Sequence, residues 1–314
     1  MIAFGPVPSR RLGFSLGINN IPPKTCSYAL VYCQLGRTDR MRVARQPFYP
    51  PEEIEQAARE KVEDASATGQ RIDCVTFVPD GEPTLDIHLG REIELLKHLG
   101  PPVAVITNGS LIDRKDVRED LFHADWVSLK VDAVREGLWR AVDRPQGTLC
   151  IDAILDGMRA FAAAHCGTLV TETMLVAGLN DGEEDVAAVA AFLAELRPSC
   201  AYLSAPTRPP AERWVKAPHE AVINRAYHAL SNRLERVELL TGYEGNAFAS
   251  SGDPEADLLS ITAVHPMRED AVADLLRRSG SEWPLVQSLI ERDELAELAY
   301  GGRCFYLRRL RRSA

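Results

Sequence analysis

Three stretches of this chain carry side chains with chemistry to offer. Residues 24–36 (KTCSYALVYCQLG) put two thiols, Cys26 and Cys33, on one short segment with Tyr32 just before the second. Residues 80–84 read Asp-Gly-Glu-Pro-Thr. There a carboxylate and carbonyls can accept hydrogen bonds from a charged amine, and Gly81 lets the backbone approach closely. Thr107-Asn108-Gly109 is a compact polar turn, and Ser128, Lys130 and Asp132 alternate along a run that follows it. In an extended strand these three share one face, as a wet cavity requires. Glu172 is a similar case on a later run.

Each stretch also has a plain reading. Two cysteines at this spacing suit a pair of buried, inert thiols. A Gly-Pro pair is common in ordinary turns. Lys130 and Asp132 can form a structural ion pair, and Arg140, Arg144 and Arg208 can be solvated surface cations rather than anion-binding groups.

The elements that must position these groups alternate in type. Hydrophobic periodicity predicts strands over 14–19, 73–78, 103–107, 126–131, 169–176, 200–205 and 237–240. Helices are predicted over 50–66, 86–99, 114–122, 150–165, 183–196 and 219–234. Helix 50–66 places Ile54, Ala57, Ala58 and Val62 on one face, with acidic residues in its first turn. Repeated strand–helix units imply parallel strands with right-handed crossovers. The fold class is therefore α/β, a partial (β/α)6 barrel, whose chemistry belongs at the C-terminal strand ends. All three chemical stretches fall at such ends.

The chain has 314 residues, enough for one such domain over 1–240 and a small appendage. Residues 241–253 are Gly/Ser-rich and read as a linker. Residues 254–314 read as a winged-helix-like domain: helices over 254–264, 269–279 and 282–293, then a hairpin turning at Gly301-Gly302. A net charge of −9 argues against nucleic acid and anionic membrane as partners. The third of these helices carries Glu282, Glu291 and Asp293 rather than groove-reading cations. Arg308, Arg309, Arg311 and Arg312 form a basic tail. Seven scattered cysteines suit a reducing cytoplasm better than a disulfide framework. No apolar run approaches a membrane span. Cys74, Cys150, Cys166, Cys200 and Cys304 show no paired metal-ligand spacing.

Taken together, residues 4–248 resemble the radical S-adenosylmethionine (SAM) superfamily, in a subfamily related to wyosine-type tRNA-modifying synthases. The motifs that carry this are FGPVPSRRLG, KTC, YCQLGRT, DGEPTL, TNGSL, SLKVDA and GYEGNAF. The resemblance implies a [4Fe–4S] cluster and SAM as cofactors. The usual C-x3-C-x2-C pattern would make Cys26 and Cys33 metal ligands, but Leu30 stands at the middle cysteine position and Ala29 replaces a frequent acidic residue. Two readings stay open. Either a cluster binds through the two remaining cysteines with another third ligand, or no stable cluster forms and the fold serves as a scaffold.

The same resemblance places SAM against Tyr32, Gly81, Glu82, Pro83, Thr107, Asn108, Ser128 and Lys130, and against the backbone of Leu175, Val176 and Ala177, with Tyr32 on the adenine. It implies reductive SAM cleavage to a 5′-deoxyadenosyl radical. Expected partners are an electron donor such as flavodoxin or ferredoxin and a small-molecule, peptide or protein substrate. The tRNA substrate of the archetypal members is not carried over, because the acidic charge disfavours it.

Overall fold

The computed structural model describes residues 1–240, 253–263 and 266–309. Of the linker expected over 241–253, residues 241–252 with the GYEGNAF motif lie outside the described residues, as do Arg311 and Arg312. The first half of the chain forms β1 (Ala3–Ser9), β2 (Gly13–Ile18), β3 (Thr25–Cys26), β4 (Arg40–Met41) and α1 (Pro51–Ala67). It continues with β5 (Cys74–Phe77), α2 (Leu89–Lys97), β6 (Val103–Thr107), α3 (Lys115–Leu121), β7 (Trp126–Lys130) and α4 (Glu136–Val142). Then come α5 (Ile151–Ala164), β8 (Thr168–Met174), α6 (Glu183–Leu196), β9 (Cys200–Ser204), α7 (Glu220–Ser231) and β10 (Val237–Leu240).

The principal sheet runs β1-β2-β5-β6-β7-β8-β9-β10. From β2 onward every neighbouring pair is parallel, and a helix crosses between each pair in turn. Such strands are covered on their outer face by helices and so read as continuous apolar runs. Cys74–Phe77 is buried at all four positions, and Val75, Phe77, Val103, Val105, Val127 and Leu129 have no exposed surface.

The sheet is curled. In a flat sheet β2 and β8 would stand about 19 Å apart, four spacings of about 4.8 Å. Yet Arg11, from the turn that enters β2, reaches Glu172 on β8 at 2.7 Å. The curl is open, since β1 and β10 are the two edges. The α/β class and the mostly parallel sheet are thus as the sequence predicts.

Besides the two-residue strands β3 and β4, two elements of the first 240 residues were not predicted. β1 is antiparallel to β2 and contains a cis Gly5-Pro6 bond; its sequence, AFGPVPS, has two prolines, which reads as a poor strand but suits an edge. α4 is only seven residues long and its apolar residues, led by the buried Trp139, are too few to show a period.

After the undescribed segment come α8 (Pro254–Thr262), β11 (Met267–Arg268), α9 (Glu269–Arg278), α10 (Pro284–Glu291), β12 (Leu295–Tyr300) and β13 (Arg303–Arg308). Asp253 caps α8 by accepting the Glu255 and Ala256 amides. Gly301 and Gly302 both have positive φ, as the tight turn between β12 and β13 demands. Leu258, Val272, Leu275, Val286 and Leu289 build a core separate from that of the sheet, and Val7 of β1 packs against it.

Candidate functional site

The two-cysteine segment is tied down on both flanks. Lys24 donates its amide to Asp80 O at 2.8 Å, and Arg40 and Arg42 return to Lys24 O and Cys26 O at 2.9 Å each. Ala29 and Val31 donate to Asp143 O and Val142 O at 3.1 Å. The loop is therefore clamped between the ends of β5 and α4. Lys24 itself has φ 61, a left-handed conformation that a non-glycine residue adopts only where its surroundings fix it.

Cys26 and Cys33 both face a cavity of about 290 Å³ at the C-terminal ends of the strands. Burial pushes the Cys26 thiol up to about 12, with the Glu82 carboxylate adding to it. Cys33 is also raised by burial, against the pull of Lys24. Asn108 Nδ2 lies 3.6 Å from Cys26 Sγ. Leu30 lies on the same cavity wall and packs against the main core and against a small cluster of Val31, Val142, Val176 and Val215.

Glu82 is the hinge between two strand ends. Its Oε1 accepts from Thr84 N (3.1 Å), Thr84 Oγ1 (2.6 Å) and Thr107 Oγ1 (2.5 Å), while Oε2 accepts from Asn108 N (2.7 Å). Burial raises its pKa despite these bonds. A positive ligand beside it would relieve that cost. Gly81 explains how Glu82 comes so close to the thiol loop. Its φ is 156, and a Cβ there would stand 1.9 Å from Thr25 O. That same oxygen accepts the Glu82 amide at 3.1 Å. Asp80 turns to Lys24 at 3.5 Å, and burial lifts its pKa to about 6.

Across the cavity, Lys130 pairs with Glu172 at 3.4 Å rather than with Asp132, and its ammonium lies 5.1 Å from the Tyr32 ring centroid. Burial opposes the Lys130 charge, but Glu172 and Asp132 hold its pKa up. Burial opposes the Glu172 charge too, yet Lys130 and Arg11 pull that carboxyl down to about 2. Tyr32 Oη donates to Asp132, whose other oxygen accepts the Met174 amide at 2.7 Å. Asp143 sits against Asp132, and burial beside this second carboxyl raises its pKa well above the usual carboxylate range.

Cys26, Cys33, Tyr32, Gly81, Glu82, Thr107, Asn108 and Lys130 thus share one cavity. Other expected SAM-site residues do not line it. Pro83 is buried at the start of a short 3-10 turn, and Ser128 is buried within β7. The amides of Leu175, Val176 and Ala177 are spent on Ser204 O, Asn180 Oδ1 and Lys216 O. Arg140 pairs with Glu136 and Arg144 with Glu212, so neither turns to this cavity, whereas Arg208 lines it. Arg10, from the FGPVPSRRLG motif, and Met174 also line it, as does Ser204, which no sequence motif announces.

The radical SAM superfamily model matches residues 20–193. The chain belongs to the radical SAM superfamily. It is 45% identical over 313 residues to UPF0026 protein MJ1312 of Methanocaldococcus jannaschii, covering 99% of this chain and 97% of that one. Among solved structures it is similar to a radical SAM methyltransferase from Sphaerobacter thermophilus, with TM-score 0.52, 16% identity, and coverage of 72% of this chain and 66% of that one. It is also similar to Streptococcus suis SuiB bound to S-adenosylmethionine, with TM-score 0.53, 14% identity, and coverage of 75% and 53%. At these identities the two structures show the shared fold.

Radical SAM proteins in general work with a [4Fe–4S] cluster and SAM. SAM suits the cavity: a buried carboxylate with a raised pKa lines it, and a cation there would relieve the cost of that burial. A cubane held by three protein thiolates does not suit the donor set. Iron–sulfide clusters need soft anionic donors. Leu30, between the two cysteines on the cavity wall, offers a hydrocarbon and no donor. Among the described residues, no group of three His, Cys, Asp or Glu side chains is placed to hold a metal ion. No helix among the described residues is long and apolar enough to cross a membrane.

Proposed function

We propose that this protein binds SAM in the cavity at the strand ends and takes part in SAM-dependent radical chemistry on a substrate held in the same cavity. The observation that carries this is the Glu82 cradle. A carboxylate, two threonine hydroxyls and the Asn108 amide are gathered beside two cysteines on a clamped loop. A cluster held by Cys26 and Cys33 would supply the electron for reductive cleavage of SAM; that chemistry belongs to the cofactor.

What this chain's own residues do is hold, orient and shield. Glu82 receives the SAM ammonium, Thr107 and Asn108 fix the Glu82 carboxylate, and Asp132 holds Tyr32 beside Cys33. Lys130 and Glu172 line the substrate side. Cys26 and Cys33 would anchor iron, so a cluster here rests on two protein thiolates. An electron donor of the flavodoxin or ferredoxin kind would serve it.

Leu30 favours a second reading, in which the protein binds SAM without radical chemistry and the barrel acts as a scaffold. Anaerobic incubation with iron, sulfide, reductant and SAM separates the two. Formation of 5′-deoxyadenosine and methionine supports the first. SAM binding without cleavage supports the second.

A further inference from the structure

A second cavity lies behind the thiol loop. It holds about 330 Å³ and shares Leu30, Arg37 and Thr38 with the main cavity, so Leu30 is part of the partition between them. Three separate stretches of chain build its polar end. Arg37 comes from just past the thiol loop, Arg144 from the turn after α4, and Glu212 from the segment after β9. Glu212 is the hub. Its Oε2 accepts from Arg37 at 3.0 Å and its Oε1 from Arg144 at 2.6 Å. Its amide donates to Val31 O at 3.0 Å, which fixes this segment to the thiol loop. Arg144 has φ 46, a left-handed conformation that a non-glycine residue keeps only where its surroundings impose it. Its carbonyl accepts the Ala29 amide at 3.2 Å.

Two cations meet one carboxylate here. Glu212 is the one acidic side chain lining this cavity among the described residues, and neither arginine has another acidic partner among them. The bonds from Arg144 and Arg37 hold the Glu212 carboxyl below the usual carboxylate range, so it stays ionised and answers one of the two charges. The Glu212 side chain is 11% exposed, against 42% for Arg144 and 74% for Arg37, which puts the carboxylate inside and the guanidiniums towards the opening. Each guanidinium has five N–H donors in a planar fork that matches an oxyanion, and each spends one on Glu212. We propose that this second cavity binds a small oxyanion-bearing ligand, a carboxylate or a phosphate, bridged between Arg37 and Arg144. Such a ligand ties the thiol loop, the turn after α4 and the segment after β9 together behind Leu30. The site is separate from the SAM reading of the main cavity and does not depend on it.

The test is calorimetric titration of the full chain with inorganic phosphate and, separately, with succinate. Each runs against sodium chloride at equal ionic strength, with and without saturating SAM. Saturable binding of an anion above the chloride control is expected in both conditions. Tighter phosphate marks a phosphorylated ligand and tighter succinate a carboxylic acid. Arg37→Gln and Arg144→Gln, as independent variants, should each weaken that binding about tenfold, the loss of one charge-assisted interaction. Arg233→Gln removes the same charge from an exposed position after α7 and should leave it unchanged. No binding above chloride, unaltered binding in both cavity variants, a loss in Arg233→Gln equal to theirs, or displacement of the anion by SAM overturns the proposal. Anion binding by a chain that binds no SAM leaves it standing and removes the reading of the main cavity.

Discussion

Glu82 Oε2 accepts the Asn108 amide at 2.7 Å, which bolts the loop after β5 to the end of β6. Because Oε1 takes the two threonine hydroxyls as well, one side chain both closes the sheet's rim and presents charge to the cavity. The two duties separate by substitution. Glu82→Gln keeps an acceptor for Thr84 and Thr107 but loses the charge and turns its NH2 to the Asn108 amide, so it should lower SAM affinity at least about tenfold while lowering Tm less than Glu82→Ala does. Glu82→Ala should lower both, because Asn108 N and two hydroxyls are left buried without a partner. Equal SAM affinity in wild type and Glu82→Gln would remove the ammonium site.

Gly81→Ala tests the close approach. Its Cβ would meet Thr25 O at 1.9 Å, and that atom is backbone. The loop must shift away from Glu82, at a cost of about 3 kcal/mol. Chemical denaturation should show that loss, with SAM binding falling beyond it.

The thiols give a prediction in metal-free protein. Thiolate is the reactive form, and a Cys26 pKa of about 12 leaves on the order of one part in ten thousand ionised at pH 8. Cys150 and Cys166 are exposed. Mass-mapped iodoacetamide labelling at pH 8 should modify those two first and Cys26 far more slowly. Labelling of Cys26 as fast as that of Cys150 would contradict its raised pKa.

A buried carboxyl outside the cavity sets a pH dependence. Glu92 is fully buried, and burial, reinforced by Asp86, raises its pKa well above that of an exposed carboxyl. The folded chain therefore binds a proton that the unfolded chain releases above about pH 4.3, and stability falls as pH rises from there towards the raised folded value. Glu92→Gln, neutral at every pH, should raise Tm by several degrees at pH 8 and change it little at pH 4.5. A thermal melt of both proteins at the two pH values checks this.

The parallel sheet was legible because buried strands such as Cys74–Phe77 are short runs of mostly apolar and β-branched residues and their helices carry clear stripes. The α6 boundaries, Glu183–Leu196, follow directly from that pattern. The thiol loop and the Glu82 turn were legible because their residue types are unusual together. The substrate side was not. Arg11 reaches Glu172 across 161 positions of sequence, and only the curl of the sheet brings them together. Lys130 and Asp132 share a strand face, yet each takes a partner from elsewhere: Glu172 on β8 and Tyr32 on the loop. Backbone contacts at Leu175–Ala177 were expected from a motif that is only a strand followed by glycine, and in the fold their amides are used internally.

The central claim is that two loop thiols still anchor iron beside bound SAM, one donor short. Anaerobic reconstitution with iron and sulfide, followed by metal counting after a timed chelator challenge, tests it in wild type, Leu30→Cys and Cys26→Ser/Cys33→Ser. The account predicts that wild type loads iron but releases it quickly, that Leu30→Cys retains it, and that the double serine variant loads none. Wild type that loads no more iron than the double serine variant, with no gain in Leu30→Cys, would contradict it.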